Sequence, residues 1–171
     1  MDSKKTGEIR EILTFVMGDE QYAIRVTRVR EVLSVPKVTR IPRMPEYMRG
    51  VVNLRGSVVP IIDLKRKFAM GETELTENTA IIVVEIPVGD QGDAAEILHL
   101  GLFADSVRKV IAIPENEIEP APRIGTRIDT SFIEGMGHVD DDFIVILDIT
   151  AILTAEEVEL MEAAGQTEAA P

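Results

Sequence analysis

Tyr22-Ala-Ile-Arg-Val-Thr-Arg-Val-Arg-Glu-Val-Leu-Ser-Val-Pro36 lies without a gap over Leu100-Gly-Leu-Phe-Ala-Asp-Ser-Val-Arg-Lys-Val-Ile-Ala-Ile-Pro114. Val29, Arg30, Val32 and Pro36 match Val107, Arg108, Val110 and Pro114. Farther along, residues 47–64 lie over residues 132–149, pairing Gly50 with Gly135, Ile61 with Ile146 and Asp63 with Asp148. The offset grows from 78 to 85 between the blocks, which lengthens the Pro-rich loop of the second copy, Glu115 to Glu134. Two matched blocks in the same order imply two copies of one small barrel-like unit. Units of about 70 residues suit five-stranded barrels, which close their sheets and hide their edges.

Hydropathy within each copy alternates with the period of strands. Leu13 to Met17 alternates toward a Gly18-Asp19-Glu20 turn, and Gln21 to Val26 alternates again, which predicts a hairpin. Val29 to Val35 continues as a strand, or as a short turn and then a strand, that Pro36 ends. One helical turn is expected over Glu46 to Arg49, then a second hairpin, Val51 to Leu54 and Ser57 to Asp63, around Arg55-Gly56. Pro60 marks this as an edge or a bulge. Further strands are predicted at Thr79–Ile86, Ile97–Ala104, Val107–Ile113, Phe132–Val139 and Phe143–Asp148, making ten in all. Gly89 to Glu96 reads as a polar loop. A terminal helix is expected over 149–164, followed by a disordered tail over 165–171. The domain expectation is a flexible terminus over 1–10, a first barrel over 11–76 and a second over 77–148.

Hydrophobic residues make up 45% of the 171-residue chain and aromatics 4%, so the core must be aliphatic. There is no cysteine, which excludes disulfides, thiolate metal ligands and a cysteine nucleophile. The polar start, Met1 to Gly7, does not resemble a secretory leader, and Asp148 interrupts the longest apolar run; these features read as a soluble intracellular protein. The net charge of −12 conceals an asymmetry: residues 23–67 carry +8 and the remainder −20, so opposed faces are expected.

Comparing the copies separates what the fold needs from what it does not. Gly50/Gly135 and Asp63/Asp148 are kept in both and read as structural, whereas Arg55 stands against Asp140, Glu31 against Lys109 and Asn53 against His138. Arg55 therefore requires an explanation outside the fold. A guanidinium on a tight turn offers five fixed donors to carboxylates or to the carbonyls at a helix end, and arginine is a common interface anchor. The competing reading is that Arg55 braces the two barrels by bonding an acidic residue. Glu31 is expected on the solvent face beside a partly buried Val29, the pair making a small apolar patch with a charged rim that suits a helical partner. The competing reading of Val29 is plain core packing.

Catalytic chemistry is missing. His99 lies within a strand and His138 near a hairpin turn, neither with a motif around it. Asp140-Asp141-Asp142 lacks the alternate spacing, glycine and final glutamate of an EF-hand loop. There is no phosphate-binding glycine loop, and the basic segment has too few aromatics to stack bases, so neither cofactor nor nucleic acid is expected. An enzyme or small-ligand protein on twin barrels would instead show a deep pocket lined by perturbed carboxylates or His99.

The segment Arg40-Ile-Pro-Arg-Met-Pro-Glu-Tyr-Met-Arg-Gly-Val-Val-Asn-Leu-Arg-Gly-Ser-Val-Val-Pro-Ile-Ile-Asp-Leu64 closely resembles the signature of the CheW family of bacterial chemotaxis coupling proteins. The resemblance extends from about Ile12 to Met161, through Gly18–Ile24, Ile128–Thr130, Phe132–Gly135 and Ile146–Ile149. It implies an all-β fold of two intertwined SH3-like five-stranded barrels plus a C-terminal helix. It also implies a non-enzymatic adaptor, cytoplasmic and held at arrays on the inner face of the membrane without inserting. Such proteins join the cytoplasmic hairpin tip of methyl-accepting chemoreceptors to the regulatory domain of the histidine kinase CheA, with which they build ring assemblies.

Carried over by position, the receptor-facing residues are Val29, Glu31, Gly50, Arg55, Ala80, Gly101 and Val110. The kinase-facing candidates are Glu119, Arg123 and Ile124, where familiar members often have Arg, Glu and Phe, so the charges are exchanged here. A coupling protein of a pilus, gliding or other sensory system shares the same signature. A piece severed from a longer kinase or regulator chain is a further alternative, against which the polar ends argue.

Overall fold

Strong alternation and tight turns organise the described residues into ten strands: β1 Ile9–Met17, β2 Glu20–Arg25, β3 Val29–Ser34, β4 Met48–Leu54, β5 Ser57–Ile62, β6 Ala80–Val88, β7 Glu96–Ala104, β8 Ser106–Pro114, β9 Ile133–Val139 and β10 Asp142–Leu147. Two α-helices accompany them, the single turn α1 Leu64–Lys67 and the terminal α2 Ala155–Thr167. The computed structural model describes residues 8–88, 96–121 and 129–167. Most of the predicted loop after β6, and part of the Pro-rich loop of the second copy, lie outside them.

The strands form two five-stranded sheets, ordered β8-β1-β2-β10-β9 and β3-β6-β7-β5-β4. Overlaying the two copies equates β1–β5 with β6–β10, and exchanging those labels turns one order into the other. The register agrees: Ile146 pairs with Ala23 as Ile61 pairs with Gly101. The boundary expected at 76/77 therefore does not separate two barrels. The β1–β2 hairpin of the first half completes the sheet of the second, and β6–β7 completes the sheet of the first. Equivalent hairpins offer equivalent edges, so exchanging them costs no strand pairing, as in domain swapping. It also lets Leu13, Phe15 and Tyr22 of one sheet meet Ile82, Leu100 and Leu102 of the other in a core shared between the barrels. Each barrel keeps a smaller core of its own, around Val59, Ile61 and Val83 in one and Ile12, Ile144 and Ile146 in the other.

Both barrels close in the same way. Thr39 and Val51 exchange backbone hydrogen bonds of 2.8 Å each, and the equivalent Met136 exchanges bonds of 2.7 and 2.9 Å with Glu119. Gly50 and Gly135, beside these closures, are kept because the closing segment presses on them, through the Thr39 backbone at Gly50 and through the Ile118 side chain at Gly135. A Cβ on Gly50 would stand 2.4 Å from the Thr39 carbonyl oxygen. Asp63 and Asp148 are equivalent too: each donates its amide to a carbonyl, that of Tyr47 or Phe132, and each caps the turn that follows its strand.

Several local expectations change. Glu46 and Tyr47 form a turn in which the Met48 amide reaches the Pro45 carbonyl, and β4 begins at Met48, so there is no helical turn to Arg49. β5 is an interior strand despite Pro60; its pairing with β7 is registered only at Ile61 and Ile62, beyond the proline. Ile9 and Arg10, expected in a flexible terminus, belong to β1 and pair with Pro114 and Ile113. The terminal helix, expected over 149–164, begins only at Ala155, since Asp148 caps a 3-10 turn over Ile149–Ala151, and residues 165–167, expected in the tail, continue it.

α2 docks on the barrel through Val158, Met161 and Ala164, with Gly165 over the Val58 carbonyl. Its polar attachment is Glu157, whose two carboxylate oxygens each accept from Lys67 Nζ at 2.7 Å. Burial would push the Glu157 carboxyl up, but the hydrogen bonds from Lys67 and the Thr154 amide, with the charge of Lys67, hold it below the ordinary glutamate value. Its folded pKa is therefore lower than its unfolded one. The contact contributes above the unfolded value and is lost as pH falls through the folded value. We expect helix docking, followed by amide exchange in α2, to loosen below about pH 4.5 in wild type. Glu157→Gln should remove that step and leave the helix weaker by about 1 kcal/mol at pH 7. An unchanged acid transition in Glu157→Gln would dismiss this role.

Candidate functional site

The hairpin between β4 and β5 turns on Arg55 and Gly56, with φ of 53° and 89°, and the Gly56 amide donates to Asn53 Oδ1 at 3.0 Å. Left-handed backbone at Arg55 is a demand of the fold, since the equivalent Asp140 has φ 57°. Aspartate, asparagine and glycine tolerate this region, whereas arginine there costs on the order of 1 kcal/mol. Arg55 Nη2 donates to Glu31 Oε2 at 2.5 Å, with 69% of the Arg55 side chain and 26% of the Glu31 side chain exposed. An ion pair this open contributes about 0.2–1 kcal/mol, which at most offsets the backbone cost. Stability does not explain the arginine. Nor does Arg55 brace the barrels, because its partner Glu31 lies in the same sheet.

Beside this pair stands a second polar group. Arg30 Nη1 lies 3.2 Å from Glu85 Oε2 and 3.2 Å from His99 Nε2, and His99 Nε2 lies 3.4 Å from the same carboxylate. The two groups rim a small cleft, with Leu54, Val59 and Val83 among its walls. Two exposed guanidiniums at the rim of a largely polar cleft can bond the carbonyls or carboxylates of a partner. Sequence reading did not single out Arg30 or Glu85, and took His99 for an ordinary strand residue. The available signal was the cross-strand pair Glu85–His99, visible once the β6–β7 register is known.

The other expected positions divide between surface and interior. Six of the seven receptor-facing candidates, Val29, Glu31, Gly50, Arg55, Ala80 and Gly101, belong to one sheet and its hairpin, while Val110 is exposed on β8 of the other. Glu31, Val83, Gly101, Ile61 and Gly50 form a continuous row of cross-strand neighbours. Gly101 is not a contact surface: a Cβ there would meet Ile61 Cδ1 at 2.4 Å and Ile81 Cγ2 at 2.9 Å. It and Gly50 shape the sheet beneath the exposed pair. Val29 and Glu31 do not share a patch. A bulge pairs Val29 with Val84 and Glu31 with Val83, so Val29 packs on the shared core while Glu31 reaches the cleft. Ala80 is half-buried at the start of β6, opposite Ser34 and Ala104. Glu119 is exposed beside the closure of its barrel; Arg123 and Ile124 lie outside the described residues.

An exposed arginine that the fold does not want, at the rim of a small cleft, is a candidate binding surface. The CheW-like domain model matches residues 11–157. The chain belongs to the CheW family. It is 35% identical over 162 residues to the chemotaxis protein CheW of Klebsiella aerogenes, covering 94% of this chain and 92% of that one. It is likewise 35% identical to that of Bacillus subtilis over 153 residues, covering 89% and 90%. The crystal structure of the scaffolding protein TtCheW from Thermoanaerobacter tengcongensis superposes with a TM-score of 0.76 at 36% identity, covering 88% of this chain and 91% of that one. The twin sheets are thus the two SH3-like barrels of the CheW fold, and the protein is a chemotaxis scaffold of a non-catalytic family. Among the described residues no helix is long and apolar enough to cross a membrane.

Proposed function

We infer that this CheW-family protein couples transmembrane chemoreceptors to the histidine kinase CheA, meeting the cytoplasmic hairpin tip of methyl-accepting receptors through the face that carries Arg55 and Glu31. The observation that carries the reading is the arginine itself, held exposed at a left-handed position and paired, among the described residues, with a partly exposed glutamate of its own sheet. A helical hairpin tip presents free carbonyls and side-chain carboxylates, which a guanidinium fork bonds well. Glu119, Arg123 and Ile124, far along the chain in the Pro-rich loop, are assigned to the regulatory domain of the kinase, which keeps the two partners on separate elements. The resulting complex sits at receptor arrays on the cytoplasmic side of the membrane.

The test is co-sedimentation of the protein with a receptor-tip fragment and, separately, with the kinase regulatory domain. Arg55→Asn suits the left-handed turn and removes the guanidinium. It should weaken receptor binding by about 2 kcal/mol, or roughly thirtyfold, while leaving kinase binding unchanged and thermal stability equal or higher. Equal receptor binding by wild type and variant would take Arg55 out of the interface. A wild-type protein that sediments with neither partner would end the coupling reading.

A further inference from the structure

The pseudo-symmetry of the two barrels shows a helix seat that is filled on one and bare on the other. β5 and β10 are equivalent strands, and in each the alternate residues Val59 and Ile61, or Ile144 and Ile146, fill the barrel's own core. Residues of the opposite face, Val58 and Ile62 on β5 and Val145 and Leu147 on β10, pack on the core shared by the barrels. At the outer end of that second row stand Val58 in one copy and its counterpart, Phe143, in the other. Val58 is half-buried because α2, which follows β10 in the chain, crosses over β5.

The corresponding helix of the first copy would follow β5 and cross over β10. The chain makes only the four-residue α1 there before leaving for β6. Phe143 is left 59% exposed, with the exposed His138 ring 4.9 Å away across the hairpin. Charge differs between the seats in a matching sense. The filled seat offers Lys67 to the acidic α2. The bare one is flanked by Asp140, Asp141 and Asp142, all exposed and with no cation within ion-pair distance among the described residues.

We propose that a basic amphipathic helix of a partner protein docks over Phe143 on β10, in the place that α2 holds on β5. The α2 of a second copy does not qualify, because its Glu156, Glu157, Glu159 and Glu162 would face three aspartates. This seat lies on β10, in the other sheet from the Arg55 face, and does not depend on the receptor reading.

The probe is a peptide of residues 152–167 carrying Glu156→Lys, Glu159→Lys and Glu162→Lys, titrated into the isotope-labelled full chain with the unmodified peptide as its control. The lysine peptide should shift the signals of His138, Phe143 and Val145, and the acidic one should not. Phe143→Ser and, separately, Asp141→Lys should each weaken the lysine peptide about tenfold, while Arg55→Asn binds it as wild type does. Two surface variants of different chemistry keep the result readable if one of them folds poorly. Shifts confined to other strands, or binding unaffected by both Phe143→Ser and Asp141→Lys, would overturn the proposal. Equal binding of the acidic peptide would overturn its charge requirement.

Discussion

Gly50→Ala is expected to destabilise the protein by about 3 kcal/mol or more. Two costs combine at this position. The φ of 144° is one that side-chain-bearing residues avoid, and the new Cβ would stand 2.4 Å from the Thr39 carbonyl oxygen and 2.8 Å from Val38 Cγ1. The obstructing oxygen belongs to backbone that closes the barrel through the Thr39–Val51 pair, so relief requires opening that closure. Gly135→Ala at the equivalent place should cost less. Its Cβ would meet the end of a side chain, Ile118 Cγ2, at 2.6 Å, while the Glu119 carbonyl stays 3.1 Å away. Gly56→Ala should cost only about 1 kcal/mol: its φ is 89°, with open space around it. Urea denaturation of the three variants tests the order. A Gly50→Ala midpoint no lower than that of Gly56→Ala would show that the closing segment yields freely.

Asp63→Ala is expected to cost about 3–5 kcal/mol, although Asp148→Ala, its counterpart in the second copy, should cost only about 1 kcal/mol. Asp63 is fully buried and accepts four hydrogen bonds: from Arg49 Nη1 at 2.8 Å, the Thr73 amide at 2.9 Å, Thr73 Oγ1 at 2.7 Å and the Lys65 amide at 3.1 Å. Truncation removes the buried carboxylate from beside the guanidinium of Arg49, which is largely buried, lies over the Phe103 ring and retains the longer contacts with Glu72 Oε2 at 3.6 Å and the Thr73 carbonyl at 3.3 Å. It also releases the loop that carries Thr73. Among the described residues Asp148 accepts from the amide and hydroxyl of Thr150, at 3.1 and 2.6 Å, in an exposed turn. The double variant Arg49→Leu/Asp63→Leu should recover much of the loss, because an apolar pair carries no uncompensated charge. Equal melting temperatures for Asp63→Ala and Asp148→Ala would contradict the buried-network account.

These two positions also mark how far comparison of the copies reaches. Matched residues identified Gly50 and Asp63 as belonging to the fold, and the mismatch at position 55 identified Arg55 as not belonging to it. Alternation located the strands, since a strand's faces are written in neighbouring residues. Those features are local, or are repeated between copies, and both kinds of pattern survive in a linear chain.

Partner choice between strands was not legible. The β1–β2 and β6–β7 hairpins have the same pattern of alternation, so nothing in either says which half's sheet it will complete. Burial of the shared core settles that choice in three dimensions. The bulge after Val29 was equally hidden, because one extra residue in β3 acquires meaning only against β6, and it turns Val29 inward and Glu31 toward Arg55. Arg30, Glu85 and His99 converge only after the β3–β6–β7 register is set. Phe143 read as one more strand residue until the helix over Val58 showed what its own copy lacks. Amino-acid order specified the repeated unit and its exceptional arginine; long-range register, which no local pattern encodes, selected the neighbours that make the exception a surface.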